Sequence, residues 1–306
     1  MTDPDSPQSQ ELTSDLLLST APFLFVLFWS TGYIGAKYGL PYAEPFTFLS
    51  LRHCASVLLF AVIALASRVK WPGAAPAFHS FAVGVLVHGS YLGSVFWALE
   101  AGMPSGVAAL IVGLQPLMSA VLAGWLLGED VTIRHWIGLG LGFCGLALVL
   151  LPKLNLAGSG ITVLTVMVVA GGVLGMTLGT LYQKRFATGS DLRTGAVYQY
   201  LGGLAFTGIA ALFMETGQVE WTGEFMAALA WLVLVLSFGA ILLLMLMIRH
   251  GAVSRVATVF YLVPPTTALM GWAMFGEVMT PIQLVGMLVV VAGVALAGRR
   301  WRQAPA

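Results

Sequence analysis

Of the 306 residues, 58% are hydrophobic and only 9% are charged, where soluble domains carry roughly one-quarter charged residues. With a net charge of +1, this composition excludes a soluble enzyme or binding domain and gives no basic surface for nucleic acid. The chain reads as an all-α integral membrane protein whose general partner is the lipid bilayer.

Residues 1–19 open with the polar, acidic "MTDPDSPQSQELTSD". This stretch lacks the basic start of a cleaved signal peptide and is expected to be a disordered cytoplasmic tail. Beyond it, ten stretches contain no Asp, Glu, Lys or Arg: 16–36, 53–67, 71–99, 101–128, 135–152, 154–183, 194–214, 225–248, 256–276 and 278–298. Nine are 18 residues or longer, and a spanning helix needs about 20. The short one, 53–67, becomes a span if it begins at Phe46, just after Pro45. Arg52 then lies inside the membrane, roughly 9 Å from the helix start at 1.5 Å per residue. Cys54 and Cys144 fall in apolar segments with no disulfide or metal spacing and are expected to be packing residues.

Ten spans put both termini on one side. With the N-terminus in the cytoplasm, 11 Lys and Arg fall inside (Arg68, Lys70, Arg134, Lys184, Arg185, Arg193, Arg249, Arg255, Arg299, Arg300 and Arg302), and three, Lys37, Arg52 and Lys153, fall outside. The positive-inside rule supports that orientation, with residues 301–306 as a second cytoplasmic tail.

The segment "LAGWLLGEDVT" at 122–132 is echoed by "LMGWAMFGEVMT" at 269–280. An offset of 148 relates Pro116 to Pro264, Glu129 to Glu277, Thr132 to Thr280, Gly138 to Gly286 and Gly145 to Gly293. An offset of 147 relates Gly32 to Gly179, Lys37 to Lys184 and Arg52 to Gln199. The chain therefore divides into five-helix repeats at 20–152 and 153–300. Five is odd, so the second repeat enters the membrane inverted, an architecture of secondary transporters that alternate access between two sides.

"FWSTGYIGAKYGL" at 28–40, "PFTFLSLRH" at 45–53, "GVAALIVGLQPLMSAVLAGWLLGE" at 106–129 and "VATVFYLVPPTTALMGWAMFGE" at 256–277 carry a resemblance. Their order, spacing and duplication resemble the EamA-type members of the drug/metabolite transporter superfamily, over the whole chain after the tail. The resemblance implies a ten-helix exporter of small metabolites with a central cavity formed by both halves. That superfamily includes amino-acid exporters, among them aromatic-amino-acid exporters of the YddG type, and nucleotide-sugar and triose-phosphate carriers.

Individual residues narrow the choice. Trp29 and Tyr33 stand four apart on the first helix, in step with Lys37, and are candidates for an aromatic cavity wall or for helix packing. Arg52 either meets a substrate carboxylate or extends to the outer headgroups and Glu44. His79 and His88 fall on opposite faces of the third helix, so only one can share a cavity; both are candidate coupling groups. Tyr91, Ser94 and Trp97 continue the His88 stripe. Pro116, Pro264 and Pro265 free the carbonyls of Val112, Phe260 and Tyr261, marking gates, hinges or static kinks healed by Thr266 or Thr267. Tyr261 and Tyr198 extend a conceivable aromatic path. Each Gly-Glu turn either caps a tight turn, with Thr132 or Thr280 starting the next helix, or forms a gating ion pair.

Absences complete the reading. No zinc-protease, nucleophile-elbow or paired-carboxylate pattern is present, so neither enzyme chemistry nor cofactor nor metal is expected. Lys and Arg cluster at helix ends and loops, which disfavours phosphorylated solutes. The expectation is a monomeric inner-membrane exporter of amino acids, including aromatic ones. A lipid carrier or another metabolite carrier of the same fold is the alternative.

Overall fold

The computed structural model describes the backbone of residues 7–103, 105–153, 160–275 and 279–298. Among these, every extended element is helical; the nearest thing to a sheet is one isolated bridge between Ala43 and Val219. Helix α1 covers Pro7–Gly39, α2 Pro45–Ala66, α3 Ala74–Glu100, α4 Val107–Leu127 and α5 Ile133–Leu150. Then come α6 Val163–Phe186, α7 Leu192–Met214 and α8 Gly223–His250. Helix α9 runs from Val253–Val259 through a 3-10 turn, Phe260–Leu262, to Val263–Phe275, and α10 covers Pro281–Gly298. Seven of these helices, α2 to α8, are long and apolar enough to cross a membrane.

Helix α1 begins at Pro7, inside the segment expected to be a disordered tail. Pro at a first helical position already has the right φ and lacks a donor that the helix start would leave unpaired. Elsewhere helix starts follow hydroxyl caps: Thr132 accepts from His135 N, Thr222 from Phe225 N, and Thr162 forms a reciprocal box with Thr165. At α10, Thr280 N donates to Gln283 Oε1 at 2.9 Å, and Gln283 N donates back to Thr280 Oγ1 at 3.4 Å.

The repeat is visible in the packing of α5 on α10. A Cβ built on Gly138 would lie 2.6 Å from Gly293 O, and one on Gly145 would lie 2.7 Å from Gly286 O. Gly286 and Gly293 show the reciprocal clashes with Gly145 and Gly138. As α5 advances from 138 to 145, its contact on α10 retreats from 293 to 286, so the helices cross antiparallel about a local two-fold. The backbones approach this closely because none of the four residues carries a side chain.

A second shared feature is a π-helical stretch, Val85–Tyr91 in α3 and Leu232–Ala240 in α8. Their starts differ by the same 147 residues as the sequence repeat. Single wide turns of this kind inside α-helices are rare and concentrate at functional sites.

The outer surface is apolar, with Trp125 80% exposed and its repeat mate Trp272 55% exposed, beside bare Leu212, Phe213 and Leu288. In water such a surface would be an aggregation site; against lipid tails it is ordinary. Cys54 and Cys144 belong to this surface and are exposed, which corrects their reading as packing residues: each occupies the outward face of its helix.

Candidate functional site

The break in α4 at Gly113–Leu114 and the 3-10 turn in α9 both lie just before a proline, Pro116 and Pro264. Neither proline has an N–H to offer the carbonyl four residues back. Those two carbonyls belong to Val112 and Phe260, and all four residues line one small enclosed cavity. Trp29 from α1, Tyr91 from α3 and Tyr261 from α9 complete its aromatic wall. Its volume of about 30 Å³ accommodates a water molecule and not an amino acid.

Tyr261 is set by α5. A Cβ on Gly142 would stand 2.5 Å from the Tyr261 ring, so only glycine there lets the ring lie against the helix. The ring is buried, yet among the described residues its hydroxyl has no hydrogen-bond partner. A buried hydroxyl left unpaired is costly, which makes it a candidate donor or acceptor for a solute. Opposite, the Ser30 hydroxyl of α1 donates to Val26 O at 2.7 Å and lies 3.3 Å from Val263 O, and Thr267 donates to Ser30 O at 3.4 Å, tying α1 to the broken part of α9. Thr266 donates to Leu262 O at 2.8 Å. That bond does not reach the carbonyls of Phe260 and Tyr261, which Pro264 and Pro265 leave without their usual N–H; Phe260 O accepts instead from Val263 N in the 3-10 turn.

Arg52 and His88 lie in a different place, a buried polar cluster among α2, α3, α7 and α8. Arg52 Nε donates to Ser237 Oγ at 3.0 Å, and Tyr200 Oη donates to Ser237 O at 3.0 Å. The His88 ring stacks on Tyr200 at 4.6 Å, and His53 stands 6.1 Å from His88. Among the described residues no carboxylate forms an ion pair with Arg52, although the side chain is only 5% exposed. Glycines bring these helices together: a Cβ on Gly84 would be 1.8 Å from Gln199 O, and one on Gly203 2.8 Å from His88 Cβ.

The tautomer of His53 follows from its neighbours. Thr207 Oγ1 spends its hydrogen on Gly203 O at 3.0 Å, so toward His53 Nδ1, 3.3 Å away, it can only accept. In that arrangement Nδ1 is the donor, and Nε2 is buried without a hydrogen bond among the described residues. His88 Nε2 and Gln199 Nε2 are buried near one another, and among the described residues neither makes a hydrogen bond of good geometry.

Cluster and cavity are neighbours. Tyr91 follows His88 by three residues on α3. Leu236, beside Ser237, packs where a Cβ on Gly32 would sit, one turn from Trp29.

The structure thus brings together Trp29, Tyr91, Tyr261, Pro116 and Pro264, and separately Arg52 and His88. The other candidates lie elsewhere. His79 Nδ1 meets Tyr182 Oη at 2.6 Å and its ring stacks on Phe186, so it belongs to the α3–α6 interface. Trp97 packs partly buried against the Ala98–Met103 core, and Tyr198 meets Trp71 edge-on at 6.1 Å. Pro265 is buried outside the cavity lining. The side chains of Tyr33 and Lys37, and Glu277, lie outside the described residues. The expected stripe from His88 to Trp97 fails because it crosses the π-helical stretch, where each residue turns the chain by less than the α-helical angle. Arg52 does not reach Glu44, whose carboxylate instead accepts from Thr216 N, Thr216 Oγ1 and Gly217 N.

Sequence reasoning missed His53, Tyr200 and Ser237. The available signal was weak: His53 entered the membrane with Arg52, and Tyr200 is its mate at an offset of 147.

The two ends of the molecule differ. At one, a pocket of about 810 Å³ opens between Tyr42, Glu44, Phe96, Glu100, Val219 and Glu220. The Tyr42 hydroxyl donates to Glu224 at 2.6 Å, and that carboxylate, together with partial burial, holds the phenol above its usual range. At the other end, Glu129 ties α4 to α9: Oε1 accepts from Val253 N at 2.7 Å, and Oε2 accepts from Ser254 N at 3.2 Å and Ser254 Oγ at 2.7 Å. The first Gly-Glu turn caps as expected, with Gly128 left-handed at the end of α4 and Thr132 accepting from His135 N, and its carboxylate in addition caps a helix of the other half.

Comparison with known proteins agrees with a duplicated membrane fold. A family model described as "EamA-like transporter family" matches residues 16–151 and again 163–299. The chain is 27% identical over 289 residues to the "Uncharacterized transporter YvbV" of Bacillus subtilis (strain 168), covering 90% of this chain and 89% of that protein. It is 21% identical over 295 residues to a "Probable amino-acid metabolite efflux pump" of Escherichia coli (strain K12), covering 92% and 95% of the two chains. A solved structure superposes with a TM-score of 0.78 at 19% identity, over 94% of this chain and 99% of the other, a likeness of fold alone.

Proposed function

The chain belongs to the EamA-like transporter family, and from that premise we propose that it exports amino acids, aromatic ones included, across the inner membrane by alternating access. In this reading ten helices span the bilayer as two inverted repeats, with both termini in the cytoplasm. The wide pocket at Tyr42 and Glu100 is then extracellular, and the Glu129 end is cytoplasmic.

The observation that carries the reading is the central cavity, where Trp29, Tyr91 and Tyr261 from both halves face two proline-broken helices. An aromatic or apolar side chain packs against those rings, and the carbonyl of Val112, which Pro116 leaves without its usual N–H, is an acceptor for an ammonium group. Arg52 carries a buried positive charge that meets no carboxylate among the described residues, an expensive arrangement in a membrane that a function must justify. A solute carboxylate supplies the missing partner as the helices part. The probable amino-acid metabolite efflux pump of Escherichia coli is a distant relative with a compatible printed role. Among the described residues no Lys or Arg lines the cavity, which weighs against phosphorylated and nucleotide-linked solutes.

Counterflow in proteoliposomes tests this. Vesicles loaded with unlabelled amino acids, one at a time, should accumulate labelled phenylalanine or threonine from outside only when they contain the protein. Exchange confined to sugar phosphates or lipids would overturn the reading.

A further inference from the structure

We infer that Glu129 is the latch that holds the transporter closed at its cytoplasmic end, by capping the first turn of α9 across the boundary between the two halves; the inference rests on the transport reading. The first N–H groups of a helix have no partner inside it, and they carry the positive end of the helix dipole. Glu129, at the end of α4, satisfies two of them and the Ser254 hydroxyl as well, with three charge-assisted bonds.

A second carboxylate shows what is special about this one. Glu215, after α7, clamps the start of α2 in the same pattern: Oε1 accepts from Phe46 N, and Oε2 accepts from Thr47 N and Thr47 Oγ1, all at 2.7 Å. Both clamps join one half of the molecule to the other. Their helices differ. Helices α2 and α7 are unbroken, and they are further tied by the bonds of Ser50 and His53 to Thr207, so Glu215 closes a fixed joint. Glu129 instead joins α4 to α9, the two helices interrupted at Gly113–Leu114 and at Phe260–Leu262 beside the central cavity. A clamp across two hinged helices opens and closes; a clamp across two rigid ones does not. The same end is drawn together by Lys184, which donates to Arg249 O at 3.0 Å, and by Arg249, which donates to Ser190 O. Opening toward the cytoplasm therefore requires Glu129 to release α9.

The test is a distance measured across that end. Spin labels on Asp130→Cys and Ala252→Cys, with Cys54→Ala and Cys144→Ala, are followed by double electron–electron resonance in nanodiscs. The unmodified latch should give a population dominated by the short distance. Glu129→Ala should raise the ratio of long to short distances about tenfold, the equivalent of one lost charge-assisted bond. Glu129→Gln, which keeps one acceptor oxygen, should give a smaller shift, and Ser254→Ala the smallest. Glu215→Ala should leave this distance unchanged. If Glu129→Ala does not fold, the other two latch variants carry the test. Distributions that coincide with the parent for Glu129→Gln and Ser254→Ala overturn the latch, as does equal widening by Glu215→Ala. Failure of amino-acid counterflow with an intact Glu129 response would remove the substrate reading alone; intact counterflow with no distance response would remove the latch alone.

Discussion

The central cavity and the Arg52 cluster are both buried and both assembled from the two halves, yet they are built in opposite ways. The cavity is aromatic, holds about 30 Å³ of free space and is walled by helices that prolines interrupt. The cluster is polar and packed, set against unbroken α2 and α7, and Gly84 of α3 and Gly202 of α7 bring those two backbones into contact. Under the proposed function the difference divides the duties: the cavity would take the body of the solute, and the cluster would offer its carboxylate a partner.

Breaking the charge should have the largest effect. Arg52→Met keeps most of the side-chain volume and removes a buried unpaired cation, so thermal stability should stay level or rise. Amino-acid counterflow should fall by about a hundredfold, the equivalent of a charged hydrogen bond or more. Transport at the parent rate would place Arg52 with the packing residues.

Stiffening the cavity wall comes next. Pro116→Ala combined with Pro264→Ala restores the two missing N–H donors and should slow counterflow about tenfold while equilibrium binding of phenylalanine changes little. Gly142→Ala pushes a methyl group into the Tyr261 ring and should cost about 1–3 kcal/mol of stability by thermal unfolding. A smaller effect is expected of Tyr261→Phe. Its hydroxyl has no partner among the described residues, so stability should not fall, and phenylalanine affinity should weaken about threefold if a solute meets that oxygen.

The smallest effect lies outside both regions. Asp191, the N-cap of α7, is held below the usual carboxylate range first by its hydrogen bond from the Arg193 side chain, then by the Arg193 backbone N–H. A carboxyl depressed on folding contributes stability above its unfolded pKa, and loses it as pH falls through the folded value. Asp191→Asn should therefore match the parent in acid, below both values, and differ from it only slightly at neutral pH, since the pair is partly exposed. A pH-unfolding series checks this.

Much of this contrast was legible in the sequence. The paired prolines and nearby aromatic residues located the cavity, because a proline inside a span must leave a carbonyl free wherever the helix packs. The repeat was legible because Gly138, Gly145, Gly286 and Gly293 meet each other in the fold. The cluster was not legible as a whole. His53, Tyr200 and Ser237 meet only because α2, α7 and α8 are neighbours, and no single-helix pattern reports that. The π-helical stretch at Val85–Tyr91 also shifts the phase between His88 and Trp97, so counting by α-helical angle put them on one face. The cap that Glu129 places on α9 was hidden for the same reason: its partners lie 124 and 125 residues away.

The division of duties is tested most directly by solute protection inside the cavity. With Cys54→Ala and Cys144→Ala, Ala109→Cys places one thiol on the cavity wall. Its reaction with a membrane-impermeant maleimide should slow in the presence of phenylalanine and be indifferent to a sugar phosphate. A rate unmoved by every amino acid the protein exchanges, or slowed by the sugar phosphate instead, would contradict the account.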